Sequence, residues 1–227
     1  MIKNWAEDIK TKTKHMNRDA KAEYIMNYYW YHILLGVLTL GLLILGIYHV
    51  TWGKRKTEFS LVIVNQDINY QRDQTLQDGF AQYSHLPAEQ IQADSDYMIS
   101  YGDVQLKGIN ESSYEKFFFG WSAGAMDAVI MPKSFYDYCI EQNGRFLPLT
   151  ELHEDNQTDV LSYREEHQEE IYLQEDGVSM GVWLDQTDMS EYFMSNEQDP
   201  YVLVFPTTMK HHKTAGKFLN YALFGGQ

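Results

Sequence analysis

Residues 28–52 read YYWYHILLGVLTLGLLILGIYHVTW, and the interpretation of this stretch decides what the rest of the chain can be. Residues 33–48 carry no charge and are apolar on every side of a helix, without the polar face that a core-packing helix keeps. Those sixteen residues fall short of the roughly 20 needed to cross a bilayer. The flanks make up the difference. Tyr28, Tyr29, Trp30 and Tyr31 at one end, and Tyr48 and Trp52 at the other, place amphipathic rings at both headgroup levels. With those aromatics the membrane-compatible length reaches about 33 Å at 1.5 Å per residue. The stretch predicts one transmembrane helix over residues 32–52, with the lipid bilayer as its partner.

The helix reads as an uncleaved anchor. A signal peptide has a short basic start and a small-residue cleavage site after its apolar core. Here about thirty residues precede the core, and the residues after it, Ile47 to Trp52, include no such site. No cysteine follows directly to carry a lipid. Six basic residues (Lys3, Lys10, Lys12, Lys14, Arg18, Lys21) precede the span, against Lys54, Arg55 and Lys56 just beyond it. Positive charge marks the cytoplasmic side, so the N-terminus is expected inside the cell and the remainder outside.

Charge divides the chain in the same place. The first 32 residues hold six basic and four acidic groups, leaving 12 basic and 28 acidic groups for the remainder. A domain that acidic repels nucleic acid and anionic headgroups, which excludes both as ligands. About 170 residues is enough for one core of its own. The single cysteine, Cys139, sits in an apolar-periodic segment and reads as a small core residue.

In chain order, residues 1–31 form a cytoplasmic amphipathic leader. Asn17 is its helix cap, and an apolar stripe through Met16, Ala20, Tyr24 and Tyr28 is expected to run into the span. Residues 53–58 are a polar linker, and residues 59–227 the extracytoplasmic domain. There, strands are predicted at 59–65, 97–101, 128–131, 178–184 and 201–205. Helices are predicted at 72–83, 112–124, 134–142 (capped by Ser134) and 214–223. A strand pair is expected around Gly177. Residues 151–176 carry ten acidic groups and read as a solvated segment. The alternation argues for an α/β/α layered domain with a mixed, partly parallel sheet.

Chemistry is sparse. Gly120-Trp121-Ser122-Ala123-Gly124 fits the G-x-S-x-G nucleophile elbow, and Asp185 with His211 or His212 follow in a usable order. The context is reversed, because the motif ends a helix and precedes a strand. Ser122 is therefore a candidate nucleophile that the local structure argues against, and the expectation is a protein that is not an enzyme. The eight histidines show no H-E-x-x-H or cysteine pairing, and the acidic run lacks the regular calcium loop, so neither metal nor cofactor is expected. Phe117, Phe118, Phe119, Trp121, Tyr136 and Tyr138 have core-like helical spacing, with a pocket lining as the alternative.

Residues 123–131 (AGAMDAVIM), Phe135 and residues 144–149 (GRFLPL) resemble a segment of bacterial extracellular solute-binding proteins, in which a small-Gly-x-x-Asp turn separates a helix from a strand. Residues 214–221 (TAGKFLNY) are similar to a late helix of the same family. Residues 24–32 (YIMNYYWYH) before a single span resemble small membrane-anchored proteins of Gram-positive bacteria that carry such a domain. The resemblance implies a type 2 periplasmic-binding-like fold. Fewer than thirty residues separate Leu149 from Gly177, too few for a second lobe, so the two-lobe ligand cleft is absent and no binding residue carries over. The expected function is an accessory or docking subunit beside another membrane or surface protein, such as a transporter. A solute or peptide sensor, and then a serine hydrolase using Ser122, are the alternatives.

Overall fold

The structure is a computed structural model that describes residues 10–51, 56–106, 112–152 and 171–225. Trp52, the first half of the 53–58 linker and residues 153–170 of the acidic stretch, with His153 and His167, lie outside the described residues. The chain divides into two units, Met1–Arg55 and Lys56–Gln227.

The first unit is a helix, α1 (Arg18–Thr51). Asn17 caps it as its position predicts, its Oδ1 accepting the Ala20 amide at 2.9 Å. At 1.5 Å per residue α1 is about 51 Å long, well beyond the ~30 Å hydrocarbon core of a bilayer. One polar side chain interrupts the apolar run, and Thr39 Oγ1 satisfies itself on the Leu35 carbonyl. No residue of the apolar window is buried against protein, and the helix is long and apolar enough to cross a membrane.

The second unit is mixed α/β. Six strands, β1 (Phe59–Val64), β2 (Ile91–Tyr97), β3 (Ala128–Pro132), β4 (Tyr172–Glu175), β5 (Val178–Trp183) and β6 (Tyr201–Val204), form one sheet in the order β2-β1-β3-β6-β5-β4. β1 runs parallel to β2 and β3, and the β6, β5 and β4 pairings are antiparallel. Helices α2 (Tyr70–Ser84), α3 (Ser112–Ser122), α4 (Lys133–Glu141) and α5 (His212–Phe224) complete it.

Period-2 alternation sorts the core into two clusters. Register aligns Ile63, Ile130, Leu203, Val182 and Tyr172 across five strands, all in a cluster with Leu76 and Phe80 of α2 and Phe218 of α5. The neighbouring row, Val62, Val129, Val204 and Leu173, belongs to the other cluster, with Phe117 and Trp121 of α3 and Phe135 and Tyr136 of α4. Gly181 sits within that row, and a Cβ there would meet Val204 Cγ1 at 2.7 Å. β4 and β5 join at Asp176 (φ 49°) and Gly177 (φ 79°), two successive left-handed residues that suit the twist of a tight hairpin.

Two local expectations are corrected. The second strand is Ile91–Tyr97, not residues 97–101. Its partners step from Val62↔Asp94 to Val64↔Tyr97, and this bulge turns Tyr97 to the opposite face from Ile91 and Ala93. Ser134 does not cap α4 with its side chain; its amide donates instead to Asp199 Oδ1 at 2.9 Å, so the cap comes from a distant carboxylate.

Phe59, Phe80 and Phe218 form a ring triangle with centroids 4.7–5.0 Å apart, linking β1, α2 and α5. Truncating Phe80 to Ala is expected to destabilise the domain by about 3–5 kcal/mol in a urea titration, because the fully buried site cannot collapse around the missing ring.

Candidate functional site

In an open α/β sheet ligands gather outside the carboxyl ends of parallel strands, where the chain switches direction along the sheet. Here that point lies between β1 and β3. The chain leaves β1 through α2 for β2 on one side, and β3 lies on the other.

The carboxyl end of β1 leads into a tight polar turn. Asn65 adopts a left-handed conformation (φ 57°), accessible to Asn at small cost. Its side chain then pairs with both main-chain groups of Ile99, accepting at 2.7 Å and donating at 3.0 Å. Asn69 caps α2 by accepting the Arg72 amide at 3.0 Å. Arg72 is a buried cation with a bond from each of its three guanidinium nitrogens. Nη1 reaches Asp67 Oδ1 and Nη2 the Asp67 carbonyl, both at 2.8 Å, and Nε reaches Asp73 Oδ1 at 3.3 Å. Asp73 in turn accepts the Ser95 hydroxyl at 2.6 Å. Such an arrangement neutralises a buried charge and fixes the turn.

The space above the strand ends is occupied by the chain itself. Tyr201 donates its phenol to the Asn65 carbonyl. Ser134 donates its hydroxyl to Asp199 Oδ2, so the Tyr101 phenol, 2.7 Å from Ser134 Oγ, donates to that oxygen. Burial pushes the Tyr201 phenol up to about 12, with the Asp199 charge adding to it, and burial raises Tyr101 as well. Both remain protonated donors at neutral pH.

A second constellation joins the opposite strand ends. Asp127 is buried and accepts the amides of Ser60 (2.9 Å), Lys210 (3.3 Å) and His211 (3.1 Å), with His211 Nδ1 3.0 Å from its Oδ2. Because carboxylate oxygens only accept, Nδ1 is the ring nitrogen that donates here. The pairing has the form of the orienting half of a catalytic triad, which Ser122 does not complete. Ser122 Oγ, exposed at the end of α3, donates to the Phe118 carbonyl of its own helix at 2.9 Å. Asp185 lies in the β5–β6 connection and His212 is exposed in the first turn of α5. The structure thus pairs His211 with Asp127 rather than with Ser122 or Asp185. Asp127 stood inside the turn motif legible in the sequence; its bond to a histidine 84 residues later was not.

Of the predicted interface aromatics, Tyr28, Trp30, Tyr31 and Tyr48 are exposed on α1 and Tyr29 is half-buried. Tyr24 and Tyr28 lie one helical turn apart, their centroids 4.8 Å from each other. Phe117, Trp121 and Tyr136 are core, Phe118 and Tyr138 pack against it, and Phe119 stands exposed on α3. Cys139 is fully buried, and desolvation raises its thiol far above the ordinary range, which leaves it unreactive.

A cavity of about 80 Å³ lies within the β5–β6 connection, lined by Leu184, Ser190, Phe193, Pro200 and Tyr201 among others. An open groove of about 460 Å³ runs along residues 143–148, flanked by Glu151 and Glu175. Among the described residues no group of three or more His, Cys, Asp or Glu side chains could hold a metal ion.

The raised phenols set a pH dependence. Above pH 10 the unfolded chain releases phenolic protons that the folded chain still holds, so stability is present in full below pH 10 and falls as pH rises towards 12. Urea midpoints at pH 8, 10 and 11 are expected to decline. The decline should be shallower in Tyr201→Phe, which loses the ionising group.

Comparison with family models, with characterised proteins and with solved structures yields no match to this chain.

Proposed function

We propose that the chain is a single-pass membrane protein with its N-terminus in the cytoplasm, presenting an α/β/α layered domain outside as a docking module for another membrane or surface protein. The observation that carries this reading is the state of the switch point between β1 and β3. The place where such a sheet would receive a small molecule is filled by Tyr201, Asp199 and the turn around Asn65, all hydrogen-bonded to the chain's own groups. The cavity beside it, about 80 Å³, is well below the several hundred Å³ of a small-molecule site. A surface remains as the means of recognition, on a unit of 28 acidic and ten basic residues, a charge of −18 against +4 on residues 1–55. The exposed apolar helix supplies the anchor.

A solute or peptide sensor is the second reading, favoured by the open groove along residues 143–148, whose volume of about 460 Å³ falls in the range of ligand sites. The two readings separate in solution. A small ligand at a hundred times its Kd adds about 2.7 kcal/mol, visible as a thermal shift in a metabolite screen. The docking reading expects no such shift.

Orientation is checked by adding protease to intact cells. Cleavage within 56–227 with residues 1–17 protected is expected, and the reverse pattern would invert the topology. Docking is checked by crosslinked pull-down of the full chain from native membranes, repeated with residues 33–48 replaced by polyleucine. A discrete partner retained after the replacement is expected. Its loss would assign recognition to the helix, and absence of any partner from both would sink the docking reading.

A further inference from the structure

Strands β5 and β6 are antiparallel neighbours, which two to five residues suffice to connect. The chain uses residues 184–200 instead, two 3₁₀ turns followed by an irregular stretch. Residues 184–192 of this connection, the strap, are packed into the core through Leu184 and Met189, and residues 193–199 reach the switch-point crevice between β1 and β3, where they make three attachments.

The first is to Gln66, whose side chain is buried. Its Nε2 donates to the Met194 carbonyl at 3.0 Å and its Oε1 accepts the Met194 amide at 3.2 Å. One side chain thereby satisfies both main-chain groups of one residue, while the Met194 side chain is 60% exposed. Contact of this kind reads peptide backbone and ignores the side chain attached to it. The second attachment is the Phe193 ring, 5.1 Å from the Arg72 guanidinium carbon. The third is the Asp199 carboxylate, which takes the amide and hydroxyl of Ser134. Within the strap lies the cavity of about 80 Å³, lined by the strap's own residues and Tyr201 and with room for several waters. Residues 184–192 are thus anchored in the core through Leu184 and Met189, whereas residues 194–199 are held by polar contacts alone.

We propose that residues 193–199 are an internal stand-in for a peptide ligand, and that the docking partner presents an extended segment which displaces the strap. That segment would offer an aromatic or apolar residue to Arg72, its backbone to Gln66 and a carboxylate to Ser134. This inference rests on the docking reading for its partner. Its mechanism is strand-like capture by a side-chain amide, as in peptide recognition through main-chain hydrogen bonds. A tethered strap competes at an effective concentration of the order of millimolar, so the closed state resists weak or partial matches.

The test uses the full chain in detergent micelles and a fluorescent synthetic peptide of residues 190–200, SEYFMSNEQDP. Its affinity is read by anisotropy against wild type, against Phe193→Ala with Met194→Pro, and against the same pair with Gln66→Leu added. The pair loosens the strap and leaves the crevice intact. Phe193 is already extended (φ −124°, ψ 148°), which a following proline favours. Binding at least tenfold tighter to the loosened protein than to wild type, and lost on adding Gln66→Leu, is the expected result. Equal affinity for all three proteins would overturn the proposal. So would absence of binding to a loosened protein whose strands 59–64 and 128–132 keep wild-type hydrogen-exchange protection. If those strands lose protection, wild type answers instead: millimolar peptide should accelerate exchange in the chain's own residues 193–199, and unchanged exchange there overturns the idea. None of these arms needs the cellular partner, so a failed pull-down and a failed strap remain distinguishable.

Discussion

β1 can exist only if both of its faces are covered. Phe59, Leu61 and Ile63 point one way, Val62 and Val64 the other, and every residue of the strand is buried. A strand with no solvent face cannot close into a hairpin meander with one wet side. It requires helices above and below and neighbours on both edges, and those demands set the course of the chain around it. α2 and α5 supply one cover and α3 and α4 the other. β2 and β3 flank it in parallel, the geometry that long helical crossovers permit. The antiparallel half, β6 to β4, extends the same two apolar rows outward until the sheet ends at β4.

Polar groups then fasten the layers at the two ends of the strands. At one end Asp127 ties the first residues of β1 to the turn before β3 and to the start of α5, using one buried carboxylate for three amides and an imidazole. Carboxylate acceptors of this kind form stronger bonds than neutral ones, and they leave no buried amide orphaned. At the other end Asn65, Arg72, Ser134 and Asp199 perform the same service. The two ends differ in one respect. The Asp127 end is closed by adjoining elements, whereas the Asn65 end is closed by a long connection whose residues 194–199 hold it through polar contacts.

Much of this was legible in the residues. The apolar run at 33–48 announces the long helix by composition alone, and Asn17 marks its start. β1, β3 and β6 are short β-branched runs bounded by Asn, Pro and Asp, and they appear where that pattern places them. The Asp176-Gly177 turn is equally local. β2 was hidden because the inward residues of its alternation include only Ala93 and Ser95 between Ile91 and Tyr97, and a bulge breaks its period. The candidate site was hidden for a different reason. Gln66 meets Met194 across 128 residues and Ser134 meets Asp199 across 65, and no spacing rule connects them. G-x-S-x-G was the opposite case, a local pattern whose serine is spent on its own helix.

The Phe59–Phe80–Phe218 triangle carries a temporal consequence. One of its rings belongs to the first strand of the domain and another to the last helix, so the centre of one hydrophobic layer stays open until residues 212–224 have left the ribosome. Synthesis at about 5–20 residues per second leaves β1 waiting for roughly ten seconds or more with its aromatic face unsheltered. Until then Phe80 of the helix that follows β1 is the partner ring already made, and the place of Phe218 stays open.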